Sequence, residues 1–189
     1  MTASHRLAAD IDTTRLTLRC LSPDAIEAGL LGHLRIVEEC LGARVPIDLA
    51  EDPAVLRYAR ARLDADPEYL PWSVRAMILK DSMEMIGHIR FHTRPDPEYL
   101  HAYARGAVEL GYVVFAAHRK RGYAQEALTG AMQWALKIHG IRRFVASASP
   151  NNLPSSSLIA KLGFRKVGQQ LDAIDGIEYV YLRDVFGAS

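Results

Sequence analysis

The sequence predicts an α/β fold built on a mixed sheet, and three observations carry that prediction. Apolar periodicity alternates along the chain between strand and helix spacing, in the order strand, helices, several strands, helix, strand, helix, strands. Two strand-like runs, 108–115 and 143–149, flank one helical run, 123–139, so they are expected as parallel neighbours joined by a crossover. Two further pairs of strand-like runs, 74–79 with 83–92 and 166–170 with 178–183, are separated by turn signals at Lys80-Asp81-Ser82 and Asp175-Gly176.

The elements follow in order. Residues 1–13 read as a polar leader. From Arg15 to Leu21 the chain alternates with period two, a strand with one buried face. Ser22-Pro23 supplies a cap and a first-turn proline for a helix in which Ile26, Leu30, Leu34, Val37 and Leu41 share a face, with Gly42 as its stop. Asp52-Pro53 opens another helix, with Leu56, Ala59 and Leu63 inward and Arg57, Arg60 and Arg62 on a solvated face. Segment 93–107, with Pro95, Pro97 and Gly106, reads as a long excursion, and loops of this length are often functional. Gly140 ends the helix 123–139, and a short helix spans 154–162. No linker divides the chain, so residues 14–186 are expected to form one domain.

Composition limits the function. A chain of 189 residues, 49% apolar and 24% charged, can bury a sizeable core. Its net charge of +1 offers no global field for nucleic acid or an anionic membrane, so any anion site must be local. No signal-like or membrane-spanning apolar run is present, and a cytoplasmic protein is expected. Cys20 and Cys40 lack metal-ligand spacing and read as buried free thiols. His88 and His92, four apart on a strand, lie roughly 13 Å from one another, too far to share a metal. Tyr112, Trp134 and Phe144 read as core.

A local anion site is written at AHRKRGYAQEAL, residues 117–128. The first amides of a helix have no partner inside it and point outward at the positive end of its dipole. Gly122 allows close backbone approach, Ala124 keeps the next turn small, and Arg119, Lys120 and Arg121 add charge. Neither the dinucleotide nor the NTP glycine fingerprint occurs here. A second motif, SPNNLPSSSLIAKLGF at 149–164, follows a strand of small residues, Val145 to Ser149. Gly111, in mid-strand, marks a bulge or a close approach to the backbone.

These two motifs in this order resemble the GCN5-related N-acetyltransferase (GNAT) superfamily, in particular its branch of ribosomal-protein N-terminal acetyltransferases. The resemblance extends to TTRLTLRCLSPDA at 13–25 and MIGHIRF at 85–91, and so covers nearly the whole chain. It implies a mixed, mostly antiparallel central sheet with a splayed parallel strand pair and helices on both faces. It also implies acetyl-CoA as co-substrate, an amine as acceptor, and transfer by direct attack.

By the same resemblance, the backbone of Arg121, Gly122, Tyr123 and Ala124 would hold the pyrophosphate, with Arg119 and Lys120 at the loop start. Val113, Val114 and Phe115 would pair with the pantetheine amides, and Asn152 would reach the same arm. A helix cap is an equally available role for Asn152 and for Ser155. Many members carry a proton-donating tyrosine where this chain has Ile159, which leaves Ser155 as the substitute at the leaving thiolate. Glu109 is the first candidate base, acting through a water, with Glu178 and Asp175 as second choices; a surface carboxylate is the competing role of Glu109. A peptide α-amine is the expected acceptor. A small-molecule amine (antibiotic, polyamine or amino-sugar) and a non-catalytic acyl-CoA sensor are the alternatives. A homodimer is the base-rate expectation.

Overall fold

The computed structural model describes residues 8–172 and 176–185. Its eight strands are β1 (Ile11–Asp12), β2 (Leu16–Cys20), β3 (Arg75–Leu79), β4 (Glu84–Phe91), β5 (Ala107–Val114), β6 (Arg143–Ala148), β7 (Arg165–Asp172) and β8 (Gly176–Asp184). Its helices are α1 (Pro23–Leu30), α2 (Leu34–Leu41), α3 (Asp48–Glu51), α4 (Ala54–Ala65), α5 (Tyr123–His139) and α6 (Leu153–Lys161). In hydrogen-bonding order the strands run β1-β2-β3-β4-β5-β6-β8-β7, and β5–β6 is a parallel pair in this mixed sheet. The chain falls into two compact units, Met1–Phe91 with Tyr112–Ala131, and His92–Gly111 with Met132–Ser189. No helix among the described residues is long and apolar enough to cross a membrane.

In the first unit β1 to β4 form an antiparallel meander. The expected leader ends before residue 13: Ile11 is buried, and Ile11–Asp12 pair with Thr17 and Leu18. Ser22 caps α1 by accepting the Ala25 N–H at 3.1 Å, as its sequence position promised. The single helix expected to end at Gly42 is two helices. Gly32 takes a positive φ of 74°, which breaks the run before α2, and Gly42 then closes α2 in the left-handed conformation. The one-turn α3 was not foreseen. Leu21, Ile26, Val37, Leu41, Leu56 and Ile78 are among the residues of this unit's core. Cys40 corrects a second expectation: it is exposed, one position off the Val37–Leu41 face.

A bulge interrupts β4. Met77 pairs with Gly87 and Ile78 with Met85, so Ile86 is the extra residue. One extra residue reverses which side chains face which way. His88, paired with Ala76, therefore shares the helix-covered face with Met85 and Ile78. A Cβ on Gly87 would lie 2.2 Å from the Val113 carbonyl oxygen, so only glycine fits there. Burial drives the His88 imidazole down to about 4, with Arg90 adding to the effect, so it is a neutral core residue edge-on to Phe115.

In the second unit the parallel β5–β6 ladder has three pairs and ends at Glu109↔Val145, while β6 runs on to Ala148 paired with β8. Leu100, Ala104, Ala107, Val145, Val180 and Leu182 form its core. The excursion after β4 is organised. Asp96, at φ 62°, accepts the Gly106 N–H at 2.6 Å, and one helical turn at Glu98–Leu100 sends Leu100 into the core. Both strands of the last hairpin are longer than expected, and the turn residue Asp175 lies outside the described residues.

Candidate functional site

The residues expected from the sequence to form the site fall into two groups, one in each unit. In the first unit, β5 ends and a 3-10 turn at Ala116–His118 leads into the loop before α5. Lys120 and Gly122 both adopt positive φ, 62° and 81°. Left-handed residues alternating with others turn successive N–H groups to the same side, the geometry of an anion nest. Among the described residues, no acceptor is bonded to the backbone N–H of Lys120, Arg121, Gly122, Tyr123, Ala124 or Gln125; the first amide of this stretch to find one is Glu126, at 3.1 Å from the Gly122 carbonyl. Six successive free donors at a helix N-terminus fit a pyrophosphate.

The basic side chains divide their work. Arg119 folds back, its Nε donating to the Val114 carbonyl at 2.9 Å, while Lys120 and Arg121 are exposed. The loop is held by a residue that the motif does not contain. Arg15 donates through Nη1 to the Arg121 carbonyl at 3.0 Å, places its guanidinium 4.4 Å from the centre of the Tyr123 ring, and pairs through Nε with Glu126 at 2.7 Å. Glu126 also accepts from the Thr13 hydroxyl at 2.7 Å and the Arg15 N–H at 2.6 Å. Burial pushes the Glu126 carboxyl up, but these bonds and the guanidinium outweigh it and hold it below the ordinary carboxylate range.

Upstream of the loop, Phe115 has both backbone groups engaged: its N–H donates to Ile86 at 2.9 Å and its carbonyl accepts from His118 at 2.9 Å. Amides alternate between the two edges of a strand. With Phe115 N–H directed at β4, the Val114 N–H points to the other edge. Of the three residues expected to pair with pantetheine, Val114 thus offers an amide, Val113 has its carbonyl against Gly87, and Phe115 has neither group to give.

In the second unit the parity of β5 turns Glu109 inward, leaving it 2% exposed. Its Oε1 accepts the Ser147 hydroxyl at 2.6 Å and its Oε2 the Tyr99 hydroxyl at 2.7 Å. His92 Nδ1 stands 3.5 Å from Oε2, and the His92 N–H donates to the Glu109 carbonyl at 2.8 Å. Gln170 extends the network from β7, its Nε2 lying 3.3 Å from Ser147 Oγ and 3.5 Å from Glu178 Oε2. The first and second candidate bases thus belong to one network. Asn152 caps α6, its Oδ1 accepting the Ser155 N–H at 3.2 Å. Ser155 is half-buried in the first turn, and Ile159 is buried in the core. Sequence reasoning missed Arg15, Thr13, Glu126, Tyr99 and Ser147. Arg15 and Thr13 lie more than a hundred residues from Glu126 and Ser147 lies 38 from Glu109, while Tyr99 reaches Glu109 from the excursion ten residues before it, and the sequence carries no spacing signal for any of these pairs.

The comparisons with known proteins agree with this description. A family model described as an acetyltransferase (GNAT) domain matches residues 15–165. The chain is 32% identical over 88 residues to the uncharacterized N-acetyltransferase YjdG of Bacillus subtilis (strain 168), covering 47% of this chain and 48% of that protein. It is 38% identical over 72 residues to the [ribosomal protein uS5]-alanine N-acetyltransferase of Escherichia coli (strain K12), covering 37% of each. The chain spans about half the length, or less, of the curated relatives it matches. Among solved structures, an acetyltransferase (GNAT family) from Bacillus anthracis superposes with a TM-score of 0.59 at 21% identity, over 93% of this chain and 98% of that one. That likeness speaks for the fold.

Proposed function

The chain belongs to the GNAT acetyltransferase family, and from that premise we propose that it transfers the acetyl group of acetyl-CoA to a primary amine, specifically the α-amine of a peptide or protein N-terminus. The observation that carries the cofactor assignment is the run of six amides, from Lys120 to Gln125 at the α5 N-terminus, that have no acceptor among the described residues. A pyrophosphate there meets N–H donors and the helix dipole, and Lys120 and Arg121 complete the charge. The Val114 amide pairs with the pantetheine arm, and Asn152, with its Oδ1 held in the cap, contributes its amide nitrogen.

Three tasks remain at the reacting end. The acceptor ammonium loses a proton, the amine attacks the thioester carbonyl, and the thiolate is protonated as the C–S bond breaks. Glu109 supplies the negative charge of the base system. Ser155 serves the leaving thiolate in the place where Ile159 offers no proton. The peptide preference draws support from the uS5-alanine acetyltransferase relative, and we assign the reaction to the cytoplasm.

The test is thiol release from acetyl-CoA with the purified protein, offered short peptides with free α-amines, polyamines and aminoglycosides. Turnover with peptides and an acetylated α-nitrogen in the product are expected. Turnover confined to polyamines or aminoglycosides would overturn the acceptor class. Acetyl-CoA binding with no turnover on any amine would favour the sensor.

A further inference from the structure

In the first unit the surface arginines hold carboxylates: Arg15 that of Glu126, Arg19 that of Asp10, Arg44 that of Glu84 and Arg60 that of Asp64. Arg90 departs from that pattern. It is half-buried on β4, its Nε is buried with no acceptor, and no hydrogen bond or ion pair holds its guanidinium among the described residues. We propose that Arg90 is an acceptor-recognition subsite that binds a carboxylate carried by the amine substrate, an assignment that rests on the acetyl-transfer reading above and names the acceptor's chemistry.

Local structure brings the guanidinium to this place. The bulge at Ile86 sets the parity of β4, so that His88, paired with Ala76, faces the helices. Side chains two apart on a strand share a face, and Arg90 therefore follows His88 on the helix-covered side. Tyr58 of α4 receives it there, with the guanidinium carbon 4.9 Å from the centre of the ring. Stacking orients the guanidinium but supplies no full counter-charge. His88 shows a related deficit on the same face: it is 6% exposed, and its Nδ1 is buried without a partner. A neutral imidazole can donate from that nitrogen. Asp52, whose charge reaches His88, accepts the Ala54 N–H at 3.2 Å and forms no ion pair with Arg90.

A charge drawn partly out of water is costly unless an opposite charge meets it. A carboxylate does so, because its two oxygens match the guanidinium fork. Arg62 adds a second cation from α4, 5.9 Å from the centre of the Tyr69 ring. Polyamines and aminoglycosides would meet like charge here, whereas an acidic acceptor is attracted. The position suits recognition rather than bond-making. Arg90 lies three residues, roughly 10 Å of strand, beyond Gly87, whose backbone packs on Val113 just before the cofactor loop. For a peptide acceptor the carboxylate is an acidic side chain near the N-terminus. The terminal carboxylate of a free amino acid presents the same chemistry, and the test separates the two.

C-terminally amidated peptides with a free α-amine, carrying Asp, Asn or Lys at the second, third or fourth residue, are compared as acceptors beside free amino acids and their amides. Wild type is expected to favour an Asp peptide over its Asn counterpart by about tenfold in kcat/KM. Arg90→Gln is expected to lose that preference while keeping its activity on Asn peptides, and Arg90→Glu to turn the preference toward Lys. A preference for free amino acids over their amides that vanishes in Arg90→Gln would support the same subsite with a terminal carboxylate as its ligand. An absence of charge preference in wild type, or a uniform fall on all peptides in Arg90→Gln, would overturn the proposal. The second readout requires no turnover: the same acceptors are titrated calorimetrically into the CoA-loaded protein. Tighter binding of the carboxylate-bearing acceptor is expected in wild type, weakened about tenfold in Arg90→Gln and partly kept in Arg90→Lys, which retains the charge without the fork. Equal affinity for charged and neutral acceptors in wild type would overturn the subsite. If no amine is acetylated at all, the acetyl-transfer reading fails, and this titration still decides what Arg90 binds.

Discussion

The loop at 119–125 and the network around Glu109 are built from opposite materials. The loop presents backbone: six N–H donors, two positive-φ residues and a helix terminus, with the side chain of Arg15 bracing it from outside. The network presents side chains from four places in the chain, Tyr99, Glu109, Ser147 and Gln170, with the half-buried His92 beside them. Backbone sites hold charge that varies little between ligands, whereas side-chain sites tune protons. The difference teaches where binding and where catalysis should fail when each region is cut.

The largest separation is expected from Glu109→Gln. Its kcat should fall about 10²- to 10³-fold while the acetyl-CoA Kd stays at the wild-type value, read by steady-state kinetics beside calorimetric titration. A matching loss of acetyl-CoA affinity would erase the division between the regions. Gly122→Val should do the converse. At φ 81° a β-branched residue is strained, so Kd should rise about a hundredfold, roughly 2.7 kcal/mol, with kcat at saturation little changed. Next comes Arg15→Ala, which leaves the six amides in place but removes the brace on Arg121, Tyr123 and Glu126; a rise in Kd of about tenfold is expected.

The smallest effect concerns acid stability. The folded-state pKa of Glu126 lies below its ordinary 4.5, so its contribution is present above that value and lost as pH falls through the lower, folded one. Denaturant melts between pH 3 and 6 should show this acid loss reduced in Glu126→Gln. Parallel acid limbs in the two proteins would mean that the clamp adds nothing measurable.

The same contrast explains what was legible beforehand. The loop could be read because its backbone geometry demands particular residues at fixed spacing, and Arg119 through Ala124 display them in a row. The bounds of α5, 123–139, followed from its apolar face and from Gly140, and most strands from their alternation. The bulge at Ile86–Gly87 could not be read, since the backbone that closes on Gly87 comes from Val113 and not from a sequence neighbour. The sequence draws attention to Gly111 instead. Period two alone could not say which way Glu109 faced. Its burial follows from the register with Val145 and from hydroxyls delivered by the excursion and β6. The break at Gly32 was hidden because apolar spacing stays in phase across it, from Leu30 to Leu34. Asn152 and Ser155 were read with two roles each; the structure places Asn152 in the capping role, with Ser155 supplying the capped N–H.

The most direct test of the account compares acetyl-CoA with S-acetyl-pantetheine, which carries the thioester but no pyrophosphate, by titration into wild type and Gly122→Val. Wild type is expected to prefer acetyl-CoA by about a hundredfold or more, and the variant to lose most of that preference. A variant that keeps the full preference would contradict it, because the pyrophosphate would then be held somewhere other than the cradle at the start of α5.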